Sequence, residues 1–351
     1  MSISYKQAVF LYCFKQLNAE RSIYSLFHLF QGKKSAQTIQ DAHFFKLTSF
    51  FLSDPLITRV EIDQIVGQLY AQAYLCETVK DHFQLTKMGH DELREYSLKT
   101  PVPPSFLAGW EYHHLSGLFW DRLSLLIQVS SNLIHYNKGF IPVHNKQEGF
   151  VWLKSYLKQH NIDRHDLASE LYKELVLCLS QEDFICPSVL VLRLTGFKKI
   201  GLTPKQIAEK LKMEELYYHH QFLNTLHYLI SAICKSRNQF PYLSGLISEE
   251  NTPSPLTLST KKTYEFLKMG YSLKEITHIR NLKMNTIEDH IVEIALHVKS
   301  FDLHRYVEPD KAERIIKAAK ELSSRKLRDI RQKVEDANYF EIRLVLARNG
   351  G

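Results

Sequence analysis

The sequence is poor in the residues that make turns and staples. Its 351 residues include 13 glycines and 11 prolines, too few for a sandwich or barrel built on many tight turns. The five cysteines (Cys13, Cys76, Cys178, Cys186 and Cys234) are odd in number and scattered, and no two have C-x-x-C spacing. That argues against a zinc knuckle or a redox dithiol and leaves the thiols as small hydrophobes in a reducing compartment. No apolar run approaches the roughly 18 residues that span a bilayer. The first residues, Met1-Ser2-Ile3-Ser4-Tyr5-Lys6, lack the charged head, apolar centre and small-residue cleavage site of a secretory signal. The expectation is a cytoplasmic, nucleoid-associated protein rather than a secreted, membrane-spanning or fibrous one.

What is present is an ordinary globular composition, 44% apolar and 24% charged, with a formal net charge of +7. The surplus is uneven. Residues 255–351 hold 19 Lys+Arg against 14 Asp+Glu, and 311–333 alone hold nine basic residues against Glu313, Glu321 and Asp329. A basic C-terminal third points to a polyanion such as nucleic acid.

Two Pro-bearing stretches divide the chain. Pro101-Val102-Pro103-Pro104-Ser105 removes backbone donors and forces extended conformation, and Ser248-Glu249-Glu250-Asn251-Thr252-Pro253-Ser254-Pro255 reads as a polar linker. The expected modules are 1–100, 101–250 and 251–351, in a mainly α, multi-domain protein. Capping boxes are expected at Thr58, Thr203, Ser272 and Asn285, each followed three residues later by Glu or Gln. In the first module, Thr58 starts a helix carrying Ile62, Ile65, Val66 and Leu69. A short β-hairpin follows at Ala73–Glu77 and His82–Thr86, then Leu85-Thr86-Lys87-Met88-Gly89 leads into a helix. This order is winged-helix-like. Around Gly196–Ile230 the middle module has a second helix-turn-helix shape.

The most informative stretch is Gly270 to Ile291. Gly270 ends one helix, Ser272 starts a short second one, and Asn285 is expected to start a third with Ile287, Ile291, Ile294 and Val298 as its buried stripe. Ile276 and Ile279 are expected to point inward. The spacing G-x-S-x-x-E-I…T-I-x-x-H suits a helix-turn-helix, whose second member normally enters the major groove.

This pattern resembles the helix-turn-helix domain at the C-terminus of many bacterial RecQ-type helicases, where an Arg follows the second helix as Arg280 does here. LuxR-type regulators share the Gly, Ser-x-x-Glu-Ile and Thr-x-x-x-His spacing but usually carry an aliphatic residue at that position. Thr277 departs from the alanine that both families favour. Leu29-Phe30-Gln31-Gly32-Lys33-Lys34-Ser35-Ala36-Gln37-Thr38-Ile39-Gln40-Asp41-Ala42 and the overall length are similar to the YpbB family of Bacilli. That family joins an N-terminal region to a helicase-type helix-turn-helix, and its gene neighbours a RecQ-type helicase. The resemblance covers essentially the whole chain. It implies a helicase accessory role and assigns no residue a mechanism.

Two enzyme readings are weak. Gly32-Lys33-Lys34-Ser35 has the ending of a phosphate-binding P-loop, but position 27 is Phe27 where a first Gly is required, and a helix-like segment precedes it. His165-Asp166, with His135, His144 and Asp183, offers a paper version of a metal phosphohydrolase, although Asp166 can equally cap a helix. The expectation is a protein without catalytic residues, cofactor or metal.

On the third helix, Glu288, Asp289 and Glu293 are acidic and expected to face a basic protein partner, a RecQ-type helicase. Lys283, Asn285, Thr286 and His290 are its plausible DNA contacts. Further contacts are expected from Lys311, Arg314, Lys317, Arg325, Lys326, Arg328 and Arg331, binding DNA weakly and with little sequence preference. The work expected of the protein is DNA repair or replication with that helicase. The alternatives are a sequence-specific transcriptional regulator and, less favoured, the phosphohydrolase.

Overall fold

A computed structural model describes residues 3–160, 163–247, 256–322 and 326–349. The Ser248–Pro255 linker lies outside the described residues. Within them the chain is mainly α, with nineteen α-helices and one two-stranded sheet. In order these are α1 (Tyr5–Leu17), α2 (Ile23–Phe30), α3 (Ala36–Phe44), α4 (Arg59–Ala71), β1 (Leu75–Val79), β2 (His82–Leu85) and α5 (Lys87–Lys99). Then come α6 (Gly109–Tyr112), α7 (Ser116–Ile134), α8 (Gln147–His160), α9 (Arg164–Leu179), α10 (Pro187–Val191), α11 (Pro204–Leu211), α12 (Glu215–Lys235) and α13 (Pro241–Ser244). The last are α14 (Leu258–Lys268), α15 (Leu273–Arg280), α16 (Met284–His297), α17 (Pro309–Leu322), α18 (Leu327–Lys333) and α19 (Tyr339–Asn349).

These elements form two compact units. One comprises Met1–Val9 with Leu93–Pro253, the other Phe10–Glu92 with Ser254–Gly351. The second therefore joins the winged-helix-like segment and the C-terminal segment in a single unit.

The first unit is organised around α12, which packs against α7, α9, α10 and α11. Its apolar residues Phe222, Leu226, Leu229 and Ile230 are buried. Its polar residues are buried too, and each has a structural task. Asn224 Oδ1 accepts from Phe106 N at 2.7 Å, and His227 Nδ1 accepts from Ala108 N at 3.0 Å. Leaving such groups unpaired would cost about 1–3 kcal/mol each, so these bonds fix the chain entering α6. Helix α9 is capped by Asp163, whose Oδ1 accepts from His165 N at 2.8 Å. Asp166 lies inside the first turn instead of capping it. The helix starts at Arg164 because the cap oxygen is supplied three residues earlier than the sequence suggested. His165 and Asp166 are exposed, while His144 bonds Ser124 Oγ at 2.8 Å and His135 stacks on Phe197.

In the second unit, Thr58 forms the anticipated capping box with Glu61, and Ile62, Ile65, Val66 and Leu69 are buried. Strands β1 and β2 pair antiparallel through a turn at Lys80 and Asp81, with Asp81 at φ 62°. An aromatic chain of Phe10, Phe30 and Phe50 fills the space between α1, α2 and the 3-10 turn at Thr48–Phe50. Four helices, α1 to α4, precede the hairpin and α5 follows it, one helix more than the sequence suggested for the winged-helix-like module.

The Gly32-Lys33-Lys34-Ser35 stretch is the turn between α2 and α3. Gly32 takes φ +69° beyond the end of α2, and Lys33 N donates back to His28 O. Ser35 then caps α3 by accepting from Thr38 N at 3.3 Å. A Cβ on Gly32 would stand 2.7 Å from Leu52 Cβ. Gly32→Ala is therefore expected to destabilise the protein by about 1–3 kcal/mol, read as a lower urea midpoint at unchanged slope.

Candidate nucleic-acid interface

The helix-turn-helix forms as the spacing predicted, and its joints have identifiable causes. Gly270, at φ +90°, follows the last residues of α14. Ser272 and Glu275 make a reciprocal capping box at the start of α15, with Ser272 N donating to Glu275 Oε2 at 2.8 Å. Asn281 turns the chain in the left-handed region, which its short polar side chain tolerates. Two details differ from expectation. Helix α16 starts at Met284 with Lys283 in the cap position and no side-chain cap bond, so Asn285 lies inside it. Ile279 is 49% exposed while Ile276 is fully buried, because an eight-residue helix turns only one narrow stripe inward.

The same device occurs in the first unit. Thr203 and Gln206 box the start of α11, also eight residues long, and Lys212 turns left-handed before α12. In both places the second helix is a core helix. This is the principal finding about the candidate site.

Helix α16 packs against α14, α15 and α19 and also against α3. Along α16 only Asn285 is exposed. A reading helix normally needs a row of free side chains along one face to reach base edges, and this one has no such row. Glu293 is 6% exposed. Its carboxylate accepts from Thr257 N at 2.5 Å, Thr257 Oγ1 at 3.1 Å and Thr260 Oγ1 at 2.6 Å. It thus serves as a second cap for α14. Burial pushes its pKa up, and these hydrogen bonds pull the other way.

His290 is buried with its Nδ1 2.8 Å from Thr263 Oγ1. The Arg280 guanidinium donates to the same hydroxyl and to Ser259 O at 2.7 Å. With a permanent donor on one side, the Thr263 proton is directed to the imidazole, which stays neutral. Burial first, and Arg280 second, lower the His290 pKa to about 4. Arg280 therefore ties α15 to α14 beside α16. Asp289 accepts from Arg343 on α19, whose Nε also donates to Gln40 Oε1 on α3 at 3.1 Å. Beside this bridge a cavity of about 320 Å³ lies among Lys34, Gln40, Thr257, Thr286 and Asp289.

Several residues read as outward contacts are consequently engaged inside the fold. Glu293 and His290 are interior, and Asp289 is held by Arg343. Lys311 pairs with Glu341 at 3.0 Å, both nearly buried. Arg314 forks onto Asp336, at 2.9 and 2.7 Å, and also meets Asp310. The sequence could not show this, because the partners Thr257, Gln40, Asp336 and Arg343 lie far away along the chain or on faces that look solvated. Glu288 is half-buried, its pKa raised by burial. Lys283, Asn285 and Lys317 are exposed and Thr286 is half-buried. Lys326, Arg328 and Arg331 are exposed on or beside α18, with Arg331 4.7 Å from the centre of the Tyr339 ring. Arg325 lies outside the described residues. Among the described residues no group of three or more His, Cys, Asp or Glu side chains could hold a metal ion. No described helix is long and apolar enough to cross a membrane.

Comparison with known proteins agrees with this architecture. Residues 259–346 match a family described as a helix-turn-helix domain, which spans α14 to α19. The chain is 34% identical to Protein YpbB of Bacillus subtilis (strain 168) over 350 residues, covering 99% of this chain and 98% of that one. No solved structure matches.

Proposed function

The chain belongs to the YpbB family, and from that premise we propose that it is a non-catalytic accessory protein of a RecQ-type DNA helicase. In this reading it touches DNA weakly and without sequence preference while serving repair or replication. The observation that carries the reading is the burial of α16. A helix-turn-helix whose second member packs against α3, α14, α15 and α19 is a scaffold for other surfaces. Among the exposed cations, Lys326, Arg328 and Arg331 lie together on and beside α18. They can neutralise phosphates without reading bases. The partner assignment draws on the resemblance of residues 270–291 to the helicase domain.

A sequence-specific regulator would need exposed readers, and α16 supplies Asn285 with the neighbouring Lys283. The test of the partnership is calorimetric titration of the full chain into the cognate RecQ-type helicase. Direct binding at micromolar concentration is the expected result. Absence of heat and of co-elution at tens of micromolar would defeat it.

A further inference from the structure

We infer that the groove between α2, α3 and α18 seats the sugar–phosphate backbone of one nucleic-acid strand. This deepens the DNA-contact part of the reading above and rests on it.

The groove lies wholly within the second unit and encloses about 850 Å³, a volume typical of built ligand sites. Its charge is one-sided. Arg21 and Asp41 line it but cancel each other across 2.9 Å. The remaining charged residues are Lys33, Lys326 and Arg328 against Asp329. Lys33 and Arg328 are both exposed, and neither makes an ion pair among the described residues. They come from different elements, Lys33 from the turn after α2 and Arg328 from α18. Lys33 is the first of the two lysines of the Gly32–Ser35 turn, which is no P-loop yet still presents a cation to the groove. Ser22, at the N-cap of α2, accepts no cap hydrogen bond, so its hydroxyl is available to donate to a phosphate oxygen. Lys33 and Arg59 also add to burial in lowering the pKa of His28, another lining residue. The groove therefore sits in a positive field.

Tyr24 also lines the groove, with the Arg59 guanidinium 5.2 Å from its ring centre, and an aromatic ring beside a cation is the usual pairing in single-strand binding. An acidic peptide would bring the charge but no base.

The experiment is fluorescence anisotropy of the full chain with a fluorescein-labelled oligo(dT) of about twenty nucleotides. Lys33→Glu combined with Arg328→Glu is compared with Lys262→Glu, an exposed lysine on α14. Thermal melts confirm that both variants fold. The double variant is expected to bind at least about tenfold more weakly, with a salt slope shallower by roughly 1.4, while Lys262→Glu changes little. Equal binding by the double variant and the natural chain would overturn the groove and leave the DNA reading standing. No binding by the natural chain would overturn both. Competition by poly-glutamate stronger than by unlabelled oligo(dT) would overturn the nucleic-acid assignment in favour of an acidic protein.

Discussion

Glu293→Arg is expected to unfold the C-terminal part of the second unit and not merely to weaken a complex. The native carboxylate is buried and accepts three hydrogen bonds from Thr257 and Thr260. Reversal places an unpaired cation against donors that then have no acceptor, in a space closed by α14 and α16. Loss of one partner from a buried charged network costs about 3–5 kcal/mol, a large share of the roughly 5–15 kcal/mol that stabilises a domain. Glu293→Gln keeps one acceptor and should lose much less, about 1–2 kcal/mol. Urea titrations followed by circular dichroism separate the two. A fully stable Glu293→Arg protein would mean that this side chain is not interior.

Acidification from pH 7 to about 4.5 should remove several kcal/mol of stability. His290 and His297 have pKa values lowered to about 4, and His43 to about 3, in each case chiefly by burial. The rings of His43 on α3 and His297 on α16 lie 4.6 Å apart. An unfolded histidine titrates near 6.5, so between about pH 6.5 and 4 the unfolded chain binds protons that the native chain refuses. Stability is full above that window and falls as pH drops through it, by about 1.4 kcal/mol for each unit of separation. His219 and His227, lowered to about 4 and about 3 in the first unit, act in the same direction. Glu293 and Asp41, whose pKa values are raised by burial, work oppositely, since the native state takes up their protons first. Their contribution begins above the ordinary carboxylate range and limits the loss. The check is the urea midpoint at several pH values, with His43→Phe and His297→Leu flattening the dependence. A midpoint unchanged between pH 7 and 5 would contradict the burial of these rings.

Local signals were legible where one stretch of chain carries its own physics. Thr58, Thr203 and Ser272 each cap a helix as their spacing indicates, and Gly270 ends α14. The hairpin forms, with its first strand at Leu75–Val79, two residues later than alternation suggested because Ala73 turns left-handed, and Ile287, Ile291 and Ile294 are buried on α16 while Val298 lies half-buried beyond its end. What stayed hidden was long-range. Glu293 reads as a surface carboxylate because nothing near it in sequence accounts for its burial, yet Thr257 lies across the helix pair. Lys311 and Arg314 read as free cations because Glu341 and Asp336 arrive from later segments. The two segments that carry the family resemblance, residues 29–42 and 270–291, include most of α3, all of α15 and the first half of α16. Helix α3 packs against α16, with Arg343 bonded to both Gln40 and Asp289. Each segment alone suggested an exposed motif, and together they account for a closed one.

The central claim is that α16 is a packing helix and that the basic residues about α18 supply the DNA contact. It is tested most directly by the salt dependence of duplex binding for two variants of the full chain. One carries alanine at Lys283, Asn285 and Thr286, the other at Lys326, Arg328 and Arg331. The first is expected to bind nearly as the natural chain does. The second should weaken to a similar extent on every sequence, its salt slope flattened by about 2–3. The contradicting result is loss of binding to one preferred sequence in the first variant, with affinity intact in the second.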